Sequence, residues 1–186
     1  ANGELTGCLM IRAAHVKAGN ARKYVLVPDS AHGTNPASAH FAGYEVKELA
    51  SNPRGTLDPA AVAAAMTDEV AAVMITVPNT LGVFEENILD VTRIVHAKGG
   101  YVYLDGANFN AFVGKVRPAD MGVDVMHMNL HKTFSTPHGG GGPGAGPVGV
   151  GEALVPFLPL PTVEPEGDGF RLDFERPDSI GRMRTF

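Results

Sequence analysis

Two side chains of this sequence have the types and the placement to do chemistry together, Asp105 and Lys132. Each follows a short apolar, β-rich run: Tyr101 to Leu104 precede the aspartate, and Val123 to Met126 precede the lysine region. If the two runs are neighbouring parallel strands, a carboxylate and an amine emerge at one edge of a sheet. Pyridoxal phosphate needs this pair, because its aldehyde takes an amine and its ring nitrogen takes a carboxylate. The alternative is two unrelated surface ions, which contribute little to stability.

Strand-like and helix-like segments alternate along the chain and would position this pair. We predict strands at 23–27, 44–49, 70–77, 101–104, 123–126 and 148–150, and helices at 4–15, 35–43, 58–66 and 88–95. The segment 70–77 is nearly all apolar, as expected of a strand covered on both faces. This alternation predicts an α/β fold with a mostly parallel sheet and helices on both faces.

Composition narrows the class of protein. A net charge of −5 over 186 residues, without a basic cluster, argues against a nucleic-acid or anionic membrane surface. No apolar run approaches the ~20 residues that cross a bilayer. The single cysteine, Cys8, excludes an intrachain disulfide and fits a reducing compartment. His127 and His138 lack a ligand-like spacing with carboxylates or thiols, so the sequence predicts no metal site.

Polar groups follow four of the predicted strands. They lie at 29–34, 78–82, 105–108 and 129–132. In open α/β sheets, ligands bind outside the carboxyl ends of the strands. We therefore expect these four segments to line one site.

Three motifs resemble those of the glycine-cleavage P-protein family. They are Asp-Ser-Ala-His-Gly-Thr-Asn-Pro-Ala at 29–37, Asp-Gly-Ala-Asn at 105–108, and the His-Lys-Thr-Phe block with its following glycine run at 129–144. The likeness runs through essentially the whole chain, and residues 77–82 resemble the catalytic subunit (subunit 2) of the two-subunit form. The resemblance implies the large domain of the aspartate-aminotransferase-like fold (fold type I), incomplete at both ends, with pyridoxal phosphate as cofactor.

The resemblance also implies roles for three catalytic residues. Lys132 matches the lysine that forms the Schiff base, and Asp105 matches the carboxylate that pairs with the ring nitrogen. His32 occupies the position at which related enzymes stack a ring on the cofactor. The alternatives are a surface lysine, a helix-capping aspartate and an ordinary core histidine.

Further residues are expected to hold the cofactor. Asn108 and Asn79 are candidates to donate to the ring phenolate, although Asn79 has the alternative of only making its own turn. Gly3 lies where a helix begins, and exposed N–H groups at a helix start bind phosphate. Asn129 or His131 would add a side-chain donor.

The glycine-rich run at 139–147 has two interpretations. Consecutive glycines minimise side-chain bulk and allow the backbone to approach a ligand or another chain closely. The first interpretation is a path for a lipoyl arm. The second is a mobile surface loop.

By resemblance, the activity is decarboxylation of glycine, with transfer of the aminomethyl group to the lipoyl arm of the H-protein. The expected partners are glycine, lipoylated H-protein, and subunit 1 of the P-protein or a second copy of this chain. The expected compartment is the cytoplasm of a bacterium or archaeon, or the mitochondrial matrix of a eukaryote. The alternatives are another fold type I lyase or decarboxylase, and an inactive fragment that serves only as an assembly surface.

Both ends of the sequence read as cut. Position 1 is not Met, and a helical pattern has already begun by Glu4. We expect residues 1–155 to be part of the cofactor-binding large domain and residues 156–186 to begin the connection to a smaller C-terminal domain. We also expect the isolated chain to bind pyridoxal phosphate weakly or not at all and to be inactive.

Overall fold

A six-stranded sheet lies at the centre of the computed structural model, which describes residues 2–184. Its strands are β1 (Tyr24–Pro28), β2 (Glu45–Leu49), β3 (Val70–Thr76), β4 (Tyr101–Gly106), β5 (Val125–Met128) and β6 (Val148–Val150). The α-helices are α1 (Asn2–Lys17), α2 (Thr34–Phe41), α3 (Pro59–Ala65), α4 (Ile88–Ala97) and α5 (Leu130–Thr133). Every predicted strand and helix is present, with ends that differ by a few residues.

The strand order is β2-β1-β3-β4-β5-β6. Neighbouring strands from β2 through to β5 are parallel, whereas β6 is antiparallel to β5. The mostly parallel sheet predicted from the sequence is therefore confirmed. The last strand reverses because the chain leaves β5 through α5 and the glycine run and returns along the same edge without a crossover.

Two hydrophobic clusters pack on opposite faces of the sheet. Helices α3 and α4 cover one face through residues such as Val62 and Val91, and α1 and α2 cover the other through residues such as Met10 and Ala39. Every residue of β3 is buried, as predicted for a strand covered on both faces.

The connection from β4 to β5 contains two short 3-10 helices, Phe109–Ala111 and Pro118–Met121, in place of an α-helix. It ends at Asp124, whose carboxylate accepts hydrogen bonds from the Val102 N–H (2.6 Å) and from His96 Nε2 (2.8 Å). Asp124 is thus fixed just before the strand. β5 begins after it and spans Val125–Met128, in place of the predicted 123–126. His127 consequently lies within the strand.

After β6 the chain leaves the sheet, as expected for the region beyond Pro156. Leu154 and Phe157 pack into the cluster that α1 also contributes to. Beyond them, β7 (Thr162–Glu166) and β8 (Gly169–Asp173) form a separate antiparallel hairpin. The division into domains at 155 and 156 stays a prediction. No helix within residues 2–184 combines the length and the apolarity needed to cross a membrane.

Candidate active site

Asp105 and Lys132 line the same cavity, at the carboxyl edge of the sheet. Strands β4 and β5 are parallel neighbours, and Asp105 is the residue opposite His127 in their register. Lys132 follows in α5, directly after β5. The cavity has a volume of about 320 Å³. Its lining residues are Glu4, His32, Thr34, Thr76, Thr80, Asp105, Ala107, Asn108, His127, Asn129 and Lys132.

A glycine lets the two strands meet closely at this edge. A Cβ atom on Gly106 would lie 2.0 Å from the carbonyl oxygen of His127, so no larger residue fits without moving the backbone. The Asp-Gly pair at the end of β4 thus combines a carboxylate with a close approach to β5.

The Asp105 carboxylate is nearly inaccessible to solvent and is held by three donors. Its Oδ1 accepts from the Ala107 N–H at 2.9 Å and pairs with His127 Nε2 at 3.1 Å. Its Oδ2 accepts from Asn35 Nδ2 at 2.8 Å. Two of these donors come from β5 and α2, so the position of the carboxylate depends on three elements of the fold.

These donors keep Asp105 charged. Burial alone would raise the pKa of Asp105, but the hydrogen bond and charge of His127, helped by Asn35 and the Ala107 N–H, lower it to about 2. The folded protein therefore favours the ionised form of the Asp105 carboxyl group. Such a carboxylate can hold a proton on a basic ring nitrogen.

His127 connects Asp105 to a second buried ring. Its Nδ1 atom lies 2.8 Å from the hydroxyl oxygen of Tyr103. Burial raises the pKa of Tyr103 well above its ordinary value, so the hydroxyl is protonated. Both nitrogens of the His127 ring are thus engaged, which fixes the ring plane against the carboxylate.

Two buried side-chain atoms of the residues that line the cavity have no hydrogen-bond partner within residues 2–184. They are Thr76 Oγ1 and Asn129 Oδ1, and both are inaccessible to solvent. Buried polar groups are normally satisfied. Unpaired atoms next to a buried anion and an exposed amine fit a polar, aldehyde-bearing heteroaromatic ligand such as pyridoxal phosphate.

His32, predicted to stack on the cofactor, lines the cavity and is exposed. The Thr34 N–H donates to its Nδ1 at 3.2 Å, and the Thr34 hydroxyl lies 2.9 Å from the same atom. These contacts orient the ring. The position of His32 is compatible with stacking on a bound ring, and stacking stays a prediction.

The two asparagines predicted near the ring phenolate differ in position. Asn108 lines the cavity, where its Nδ2 donates to the carbonyl oxygen of Pro78 at 2.8 Å. Asn79 does not line it. Its Oδ1 accepts from the N–H groups of Leu81 and Val83, and its Nδ2 donates to the Gly55 carbonyl oxygen, so these contacts are those of the turn alternative.

The residues proposed for the phosphate are also divided. Asn129 lines the cavity, but His131 and Gly3 do not. The His131 ring packs edge-on against His138, with ring centroids 4.3 Å apart. Gly3 lies in the first turn of α1, where a Cβ would be 2.3 Å from the Gly146 carbonyl oxygen. At Gly146 the glycine-rich run therefore approaches another segment of its own chain.

The sequence patterns assigned no role in the site to several residues that the structure places there, among them Glu4, Asn35 and His127. The sequence predicts Asn35 only as the start of a helix. His127, considered there only as a metal ligand, lies one residue beyond the strand predicted at 123–126. One signal was present for His127, because a strand extended by two residues places it beside the carboxylate-bearing strand. Glu4 had no such signal, since its neighbours come from distant parts of the chain.

Three comparisons with known proteins bear on this site. The sequence model of the aminotransferase class-V family matches residues 9–141. Two relatives are each called probable glycine dehydrogenase (decarboxylating) subunit 2. The one from Caldanaerobacter subterraneus subsp. tengcongensis is 58% identical, over 100% of this chain and 39% of that protein. The one from Thermus thermophilus is 57% identical, over 100% of this chain and 40% of that protein. The chain thus spans about two fifths of the length of these relatives.

Solved structures share the fold. A glycine decarboxylase (P-protein) of the glycine cleavage system, in inhibitor-bound form, aligns with a TM-score of 0.71 at 24% identity, covering 91% of this chain and 39% of that one. An aspartate aminotransferase from Thermus thermophilus with maleate aligns with a TM-score of 0.62 at 19% identity, covering 82% and 40%. These likenesses confirm the predicted fold type.

Proposed function

Because this chain belongs to the aminotransferase class-V family, we propose that it supplies the pyridoxal-phosphate site of an enzyme that decarboxylates glycine and transfers the aminomethyl group to the lipoyl arm of the H-protein. One observation carries the proposal. A single cavity, at the carboxyl edge of two adjacent parallel strands, contains the buried anionic Asp105 and the exposed amine of Lys132.

The cavity residues divide the work of holding the cofactor. Lys132 would bind its aldehyde carbon through Nζ, and Asp105 would keep a proton on the ring nitrogen. His32 would cover a face of the ring, while Asn108 and Asn129 would contact its polar substituents. Bound in this way, pyridoxal phosphate supplies an electron sink for the pair of electrons that a departing carboxylate leaves behind.

Three residues predicted to hold the cofactor, Gly3, His131 and Asn79, lie outside the cavity lining. Gly3 and His131 do not line the cavity. Each is the sequence neighbour of a residue that does, Glu4 on α1 and Lys132 on α5. Asn79 supports the turn that carries Thr80 into the cavity, because its Oδ1 holds the N–H groups of Leu81 and Val83. We propose that these residues shape the phosphate and phenolate ends of the site.

The choice of glycine as substrate is supported by the names of the relatives. Their name, glycine dehydrogenase (decarboxylating) subunit 2, specifies the substrate, the loss of carboxylate and the existence of another subunit. We propose that this chain acts together with a subunit 1 or a second copy of itself. The lipoylated H-protein is proposed as the acceptor.

The decisive experiment measures carbon dioxide release from labelled glycine. The protein is expressed from its full-length open reading frame, together with any subunit 1 encoded beside it, and is assayed with lipoylated and with unlipoylated H-protein. We expect release that depends on added pyridoxal phosphate and rises strongly with the lipoylated form. Activity on other amino acids with none on glycine would assign the site to a different decarboxylase, and failure to bind the cofactor would refute the proposal altogether.

A further inference from the structure

Asn35 is completely buried between two carboxylates. Its Nδ2 atom donates to Glu4 Oε1 and to Asp105 Oδ2, at 2.8 Å in each case. The amide nitrogen is the donor in both contacts, and an oxygen of each acidic side chain accepts. The Asn35 Oδ1 atom has no partner within residues 2–184. The orientation of the side chain is therefore dictated by its two acidic neighbours.

The two oxygens of Asp105 are not equivalent. Oδ1 has two donors, His127 Nε2 and the Ala107 N–H. Oδ2 has one donor within the described part of the chain, Asn35. Each carboxylate oxygen offers about two acceptor positions. Oδ1 is consequently saturated, and Oδ2 retains a free position.

Glu4 is an unusual second acid at this cavity. It lies in the first turn of α1, is 3% exposed and lines the cavity. No ion pair joins it to a cation within residues 2–184, and its one side-chain hydrogen bond there is the one from Asn35. A buried carboxylate without a cation is costly. A role in fixing the Asn35 amide, which also donates to Asp105, explains the position of Glu4.

We propose that Asn35 is a positioning residue of the active site, which orients Asp105 so that Oδ2 presents its free acceptor position to a cationic ring N–H, with Glu4 as the anchor of the amide. This inference rests on the proposed function, because the ring is that of pyridoxal phosphate. The second hydrogen of the amide is what makes the arrangement work, since one nitrogen bridges two acceptors.

Asparagine suits the position better than the other polar residues. A serine has one donor hydrogen and would leave one acid unpaired, whereas an aspartate would add a third carboxylate. The backbone of Asn35 is itself tethered, because its N–H donates to the His32 carbonyl oxygen at 2.9 Å. The backbone that carries the bridging amide is therefore held in place.

The test compares Asn35→Ala with Glu4→Gln and Glu4→Leu in the full-length protein. Ser38→Ala is the matched control, since Ser38 is also buried and lies one turn further along α2. The first readout is the carboxyl-carbon NMR titration of Asp105 without cofactor. The second is the affinity for pyridoxal phosphate and the pH dependence of the absorbance of the bound cofactor.

We expect Asn35→Ala to move the Asp105 titration upward, toward that of an ordinary aspartate, and to weaken cofactor affinity about tenfold, the loss typical of a hydrogen bond to a charged group. Glu4→Leu should act in the same direction. Glu4→Gln retains an acceptor oxygen and should resemble the unmodified protein, as should Ser38→Ala.

An Asn35→Ala protein whose Asp105 titration and cofactor spectrum match those of the unmodified protein would overturn the inference. If this variant does not fold, the contrast between Glu4→Leu and Glu4→Gln decides, and identical behaviour of these two would equally refute it. A protein that never binds pyridoxal phosphate would refute the proposed function instead, and the cofactor-free titration would still test the bridge.

Discussion

Asp105 and His127 face each other across adjacent parallel strands, with Oδ1 and Nε2 3.1 Å apart and 3% and 5% of their side chains exposed. The contact lies at the carboxyl edge of the sheet, where the strands are also drawn together by Gly106. It holds a carboxylate in place on one wall of the cavity. Lys132, on the segment that follows His127, contributes an amine to the same cavity.

Replacement of Lys132 by alanine should abolish covalent binding of pyridoxal phosphate and carbon dioxide release from glycine, with little change in stability. The side chain is exposed and forms no ion pair within residues 2–184, so the fold does not depend on it. The measurement is the visible absorbance of the bound cofactor, with thermal unfolding in parallel. Lys115→Ala, an exposed lysine that does not line this cavity, should leave both unchanged. A Lys132→Ala protein with the spectrum of the unmodified protein would exclude Lys132 as the attachment point.

Replacement of Asp105 by alanine should destabilise the protein by roughly 3–5 kcal/mol, because it leaves His127 buried without its carboxylate partner and removes one of the two acceptors of Asn35. Urea unfolding of the cofactor-free protein measures this. Asp120→Ala removes the carboxylate of an exposed ion pair with Arg117 and should change the unfolding free energy very little. Comparable losses in the two variants would show that the buried contact has no special energetic role.

Asp105 should also contribute to acid sensitivity. Its pKa is lowered to about 2 in the folded protein, below the ordinary 3.8. The stability that it contributes is therefore fully present above the ordinary pKa and is lost as the pH falls through about 2. The unfolding free energy of Asp105→Asn should fall less steeply over this acid range than that of the unmodified protein. Parallel curves would mean that the folded state does not favour the charged carboxylate.

His15 should make stability decline at milder acidity. Burial lowers its pKa from 6.5, although its Nε2 lies 3.1 Å from the Ala71 carbonyl oxygen. Protonation is thus disfavoured in the folded state, so the contribution of His15 is present above pH 6.5 and is lost as the pH falls toward the lowered pKa. His15→Gln should flatten the fall in unfolding free energy below neutral pH, whereas His40→Gln, at an exposed position, should not. An unaltered slope in His15→Gln would contradict this assignment.

Gly7 permits α1 to lie directly on the sheet. A Cβ at this position would be 2.4 Å from Tyr103 Cε2, a ring that also contacts His127. Gly7→Ala should therefore cost about 1–3 kcal/mol of unfolding free energy through overpacking. Gly33→Ala is the matched control, because nothing lies within 4 Å of its Cβ position and its backbone is right-handed helical. If chemical denaturation finds the two variants equally stable, α1 has room to move away.

Local patterns were sufficient for the elements that carry the site. The all-apolar run of β3 and the Asp-Gly and His-Lys groups after β4 and β5 depend on neighbours in the sequence. They correctly placed Asp105 and Lys132 at one edge of a parallel sheet. They could not show where β5 begins, because that depends on the bonds from Asp124 to Val102 and His96.

The contacts that control the chemistry arise between residues far apart in the chain. Asn35 is 70 positions from Asp105 in the sequence and 31 positions from Glu4. The periodicity of the sequence does not predict contacts over such separations. Residue patterns along the chain indicated the α/β class and the carboxylate–amine pair, because both depend on residue types within and after the strands. The cofactor was identified from the three motifs that resemble those of a known family. The donors that hold Asp105 come together only when α2 and β5 take their places beside β4, so they could not be identified before the fold was known.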